Sequence, residues 1–204
     1  MTYPDFYEQA PVVRTRDPFA EMLGAAQDGA LEYHYADAVR LAGHSCPTVA
    51  GAFLMGRAAL AALFPDGPAE RGAIAIHMPA PESEGTTGVT AQVLTLLTGA
   101  ASDNGFHGIQ GHFRRKGLLS FAERKEGEAI SFKRLDTGTG VTVSLDVSPV
   151  PGDPAQGARM AAILYGNADD EQRAAFANAW QDRVRLLLLE FADDPRVICV
   201  TAVQ

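Results

Sequence analysis

Apolar residues change period along this chain. Between Leu118 and Val147 they alternate at every second position, and on both sides they recur at helical spacing. Alternation suits a sheet with one buried face, whereas a 3.6-residue period suits a helix with one buried stripe. Leu118-Leu119-Ser120-Phe121, Ile130-Ser131-Phe132-Lys133 and Val141-Thr142-Val143-Ser144-Leu145 read as three successive strands. Glu126-Gly127-Glu128 and the run Asp136 to Gly140 read as the turns between them.

Helices gather on either side of this meander. Asp17-Pro18 opens a short one that stops at Gly24, and Tyr35 to Ala42 forms a second that stops at Gly43. After Cys46, the residues Val49, Phe53, Leu60 and Phe64 give a wide apolar face as far as Pro65. Gly72 to Met78 reads as a buried strand, Pro79 to Gly88 as a loop, and Val89 to Leu97 as a helix closed by Thr98-Gly99. Pro149 to Pro154 is a linker-like bend. A long helix then begins at Asp169-Asp170 and carries Ala177, Trp180, Val184, Leu187, Leu188 and Phe191 at helical spacing. Asp193-Asp194-Pro195 ends it, and Val197 to Val203 reads as a last apolar strand. The class is α+β.

With 204 residues, 47% of them hydrophobic and 21% charged, the chain can bury one sizeable core. The expected division is a core over 1–150 with an N-terminal helical segment, and a helix/strand extension over 151–204 packed on it as one domain. The net charge of −8 argues against a nucleic-acid surface, and no run of about 18 apolar residues offers a membrane span. Met1-Thr2-Tyr3-Pro4-Asp5 lacks the basic start and apolar stretch of a signal peptide. Two cysteines, Cys46 and Cys199, make no disulfide framework, so a cytoplasmic setting is expected.

The chemistry concentrates in Gly43-His44-Ser45-Cys46-Pro47. Cys46 falls at or beside a helix N-cap, with Pro47 near the first helical position, where its missing N–H costs nothing. A helix N-terminus favours the thiolate, the form that attacks electrophiles and binds metals. His44 adds a second ligand or a base. The bland alternative is a small buried cysteine beside a capping histidine. His77, at the end of an apolar strand, is either a ligand next to a loop or a satisfied core histidine. Glu82 and Glu84 either shape a pocket or are solvated loop charges. His107 lies among the glycines of Gly105 to Gly111 and His112 follows them; His107 is a further metal ligand or a surface residue of a tight turn. His34 is expected to point elsewhere, and Cys199 to sit in the core.

Taken together these motifs resemble the FmdE family of formylmethanofuran dehydrogenase components. Its H-G-H-x-C-P-G is matched by Ala42-Gly43-His44-Ser45-Cys46-Pro47-Thr48, followed by Gly56-Arg57-Ala58. A glutamate and C-x-x-D-A-x-Q-x-L-T-G correspond to Glu82 or Glu84 and to Val89 through Leu97-Thr98-Gly99. R-x-T-G-x-G-V-x-V looks like Arg134 to Val143. The likeness spans roughly residues 33–147. It implies a thioredoxin-like core with a mixed sheet flanked by helices, a homodimer, and zinc or another transition metal in a His/Cys pocket. The chain departs from the pattern at Ala42, Val89 and Gln92, which stand where the family has His, Cys and Asp, and it carries no zinc finger.

The leading expectation is therefore a metal-binding protein, with zinc first, drawing ligands from His44, Cys46, His77, Glu84 and His107. A small-molecule ligand could occupy an open coordination position. The alternatives are a metal-free enzyme with Cys46 as catalytic nucleophile and a non-catalytic partner or regulatory component of a complex.

Overall fold

The computed structural model describes residues 3–203. Met1, Thr2 and Gln204, and with them the outer ends of the two expected segments, lie outside the described residues.

In chain order the elements are α1 (Phe6–Gln9), β1 (Val13–Arg16), α2 (Pro18–Met22), a 3-10 turn (Gln27–Gly29), β2 (Ala30–Tyr33), α3 (Tyr35–Ala42) and α4 (Pro47–Leu63). There follow β3 (Ala69–Glu70), β4 (Ile74–Met78), α5 (Thr87–Thr98), β5 (Leu119–Phe121), β6 (Ile130–Arg134) and β7 (Gly140–Leu145). The chain then forms α6 (Gln156–Leu164), α7 (Asp170–Leu189) and β8 (Ile198–Val203). The result is mixed α+β, with two mixed sheets flanked by helices. No helix among the described residues is long and apolar enough to cross a membrane.

The larger sheet runs β5-β4-β6-β7-β8, with β4 and β5 parallel and every other pair antiparallel. The three alternating segments do form strands, but not as a meander of neighbours: β4 lies between β5 and β6. Parallel strands need a crossover, which α5 supplies between β4 and β5. The Glu126-Gly127-Glu128 segment is accordingly no hairpin turn. It carries the chain round the end of β4, where Glu126 N–H donates to Pro79 O at 2.8 Å.

α4 is the hub. It is buried on most sides from Val49 to Met55, and it packs against α3, α5, α7 and strands β6 to β8. Small residues let its neighbours close in: a Cβ at Gly51 would collide with Leu145, and one at Gly56 with Leu97. Ile74, Ile76 and Met78 of β4 point into this core, as do Phe132, Val141 and Val143. The opposite side of the sheet carries a cross-strand row of Ser120, His77, Ser131, Thr142 and Thr201, all exposed or half-buried.

That arrangement corrects two expectations. His77 is exposed, because the period-two alternation of β4 turns it away from the core side. Cys199 is exposed too, because β8 is the last strand of its sheet and only Ile198 of it is buried. A smaller sheet, β2-β1-β3, forms where only helices were expected. Its anchor to the core is Asp17, which caps α2 through Phe19 N–H and pairs with Arg115 at 2.7 Å and Arg71 at 3.4 Å. α6 follows the Pro149–Pro154 bend and packs on α7.

Candidate functional site

The turn between α3 and α4 is built from local rules. α3 ends with Gly43 in the left-handed region at φ +75, where glycine carries no Cβ penalty, and Gly43 N–H donates to Val39 O at 2.9 Å. Three residues later Cys46, in extended conformation, is the N-cap of α4, with Pro47 at the first helical position. Cys46 Sγ accepts from the Val49 amide at 3.4 Å, so the thiol does the work a serine oxygen does at most caps.

His44 stands over this sulfur. Its Nδ1 lies 3.0 Å from Ala42 O and its Nε2 lies 3.4 Å from Cys46 Sγ. A carbonyl only accepts, so Nδ1 carries the proton of the first bond. In the neutral ring Nε2 then offers its lone pair to the thiol. A carbonyl, an imidazole and a thiol thus stand in contact, one after the other, within five residues. The imidazole is exposed, while the cysteine beneath it is only 8% exposed.

Ser45, between them, is clamped from below. Its carbonyl accepts from Trp180 Nε1 at 3.0 Å and Gln181 Nε2 at 3.3 Å. Its hydroxyl donates to Gln181 Oε1 at 3.1 Å, which leaves the Tyr35 hydroxyl, 2.8 Å away, as donor to Ser45 Oγ. Tyr7 OH donates to the same Gln181 oxygen at 3.2 Å. The Tyr35 ring is fully buried, edge-on to Tyr7 and Phe53. Burial pushes its phenol well above the usual tyrosine range. This network fixes the backbone on which His44 and Cys46 are mounted. No spacing in the sequence flagged Trp180 and Gln181; on α7 they look like one more turn of an amphipathic helix.

The other expected ligands stand apart. His77 pairs through Nδ1 with Ser120 Oγ at 2.9 Å on the uncovered sheet face. Glu84 is exposed at the mouth of a cleft lined also by Pro47, Thr48 and the start of α5. Glu82 lines a different depression, one that Arg71 also lines. His107 and His112 are exposed in a glycine-rich loop whose Phe106 and Phe113 stack on Phe19. His34 is the N-cap of α3 and lies 3.0 Å from Glu32. Among the described residues no group of three His, Cys, Asp or Glu side chains is placed to hold a metal ion. Only His44 and Cys46 meet, and two donors do not fill the coordination of zinc, which takes about four ligands.

No protein-family model matches the chain, and no curated protein matches it.

Proposed function

We propose that this protein performs thiol chemistry, with Cys46 as nucleophile and His44 as its base. The observation that carries the reading is the chain of contacts from Ala42 O through His44 Nδ1–H and Nε2 to Cys46 Sγ. The Sγ–H proton passes to Nε2 while sulfur bonds to an electrophilic carbon. The imidazolium, held through Nδ1–H by the Ala42 carbonyl, returns a proton to the leaving group. The Val49 amide donates to the sulfur at the start of α4.

A second reading keeps both atoms as ligands of one transition-metal ion, zinc first. It is favoured by the anchoring of Nδ1 to a carbonyl, which is how metal-bound imidazoles are oriented. It requires the remaining donors to come from outside this chain's described residues, as a homodimer would allow. Kinship with the FmdE family belongs to the same proposal. The parallel pair β4 and β5 around α5, followed by antiparallel β6 and β7, supports a thioredoxin-like core, and the cytoplasm would keep both thiols reduced.

The test is alkylation by iodoacetamide in a Cys199→Ser background, which leaves Cys46 as the one thiol. The expected result is that His44→Gln slows labelling at pH 7 by about tenfold or more. Equal rates with and without His44 would refute the thiol reading. About one equivalent of bound zinc, lost in both His44→Gln and Cys46→Ser, would replace it with the metal reading.

A further inference from the structure

A second site lies beside this turn, on different groups. α4, of 17 residues, and α5, of 12, both begin at one cleft of about 360 Å³. Helix N-termini carry partial positive charge from unpaired amides, and α5 starts without a side-chain cap. The cleft floor is apolar: Met55, Met78 and Ile130 reach it and are otherwise buried. Its wall is the 122–129 connection that wraps the end of β4, bringing Lys125 to the rim in an ion pair with Glu128.

Thr90 is the residue that points to a ligand. It lines the cleft, is only 8% exposed, and its hydroxyl makes no hydrogen bond to the protein. Two turns further along the same helix, the Thr98 hydroxyl donates to Leu94 O at 2.7 Å, as a buried helical threonine ordinarily does. Thr90 has the same option toward Thr86 O and leaves it unused. The hydroxyl is not sealed in the core but open to the cleft, where a ligand can bond it. Glu84 and Glu128 at the mouth set the charge limit, since they repel anions that bring more than one negative charge.

We propose that this cleft binds a small monocarboxylic acid. The carboxylate is received by the Thr90 hydroxyl and the start of α5 with Lys125 at the rim, and the hydrocarbon part lies on Met55, Met78 and Ile130. The site is independent of the Cys46 reading, because the thiol does not line the cleft.

The experiment is calorimetric titration of the full chain with hexanoate, beside hexanol and inorganic phosphate, on the parent and on Thr90→Val. Hexanoate is expected to bind, with hexanol and phosphate each weaker by about tenfold or more, and Thr90→Val is expected to lose about tenfold in hexanoate affinity. Thr90→Val should melt at the parent's temperature or above it, because an unpartnered hydroxyl is being removed. Three results would each overturn the proposal: no heat from hexanoate at millimolar concentrations, equal binding by Thr90→Val, or phosphate binding as tightly as hexanoate. A Thr90→Val protein that melts clearly below the parent would place the hydroxyl in a protein hydrogen bond, and would overturn it as well.

Discussion

Replacing Cys46 by serine and by alanine separates the sulfur's role as a helix cap from its role as an apolar atom. The N-cap position is occupied in extended geometry, φ −153 and ψ 168, and Sγ accepts the Val49 amide at 3.4 Å. Serine is among the preferred caps, and its oxygen has two partners waiting, the Val49 amide and His44 Nε2. Alanine leaves that amide unpaired at the start of the most buried helix of the fold. Loss of a cap costs about 1 kcal/mol, and removing the apolar sulfur from an 8% exposed position costs roughly another 1 kcal/mol in both variants. Cys46→Ser is therefore expected to be more stable than Cys46→Ala by about 1 kcal/mol. In a domain of this size that is roughly 2–4 °C in Tm. Urea unfolding followed by circular dichroism reads the difference directly, provided the three proteins share one m value. If Cys46→Ala equals or exceeds Cys46→Ser, the sulfur is held as core and the cap contributes nothing. The reasoning about α4 would then fail with it.

Two further outcomes follow from buried polar groups. Asp17→Asn keeps a capping oxygen for α2 but leaves the guanidiniums of Arg71 and Arg115, whose side chains are 14% and 12% exposed, without their carboxylate. It should cost about 3–5 kcal/mol in urea unfolding, and a loss below about 1 kcal/mol would show that the pair of arginines is satisfied elsewhere. The second concerns alkaline stability. Burial raises the phenols of Tyr7, Tyr33 and Tyr35 above the ordinary value of 10.0, so above that pH the unfolded chain releases protons that the folded chain retains. Their contribution is complete below about pH 10 and falls as pH rises beyond it. Tyr35→Phe, though weaker overall by the bond to Ser45, should show a shallower decline of unfolding free energy between about pH 10 and 12; an unchanged slope would refute the assignment.

What could be read in the sequence was local chemistry. The cap at Cys46-Pro47, the stops at Gly43 and Gly99, and the alternation of β6 and β7 each rest on a few adjacent residues, and each is found where expected. What escaped was pairing. β5 has the same alternating pattern as β6, and nothing in its three residues distinguishes a hairpin partner from a strand that crosses over to lie parallel beyond β4. β1 and β2 are four residues each, with exposed Arg14 paired to Glu32 across the strands, too short and too polar to announce a sheet. His77 and Cys199 were misplaced because an apolar strand reads as buried on both faces, whereas this sheet has helices packed on one side and an edge at β8.

The candidate site divides along the same line. His44 and Cys46 meet through a two-residue spacing that is plain in the sequence. Their fixed geometry comes from Gln181, 136 residues away from Ser45, and from Trp180 beside it. Residues 151–204 are therefore no appendage to a self-sufficient core. α7 holds the backbone between His44 and Cys46, and β8 extends the sheet on which α4 rests. A thiol under an exposed imidazole could move freely if only its own turn held it. Here the turn is pinned by three hydrogen bonds with α7 and one with Tyr35, all to Ser45. That arrangement, with His44 and Cys46 on either side of a clamped Ser45, is what makes the pair a candidate site rather than a chance contact on a surface loop.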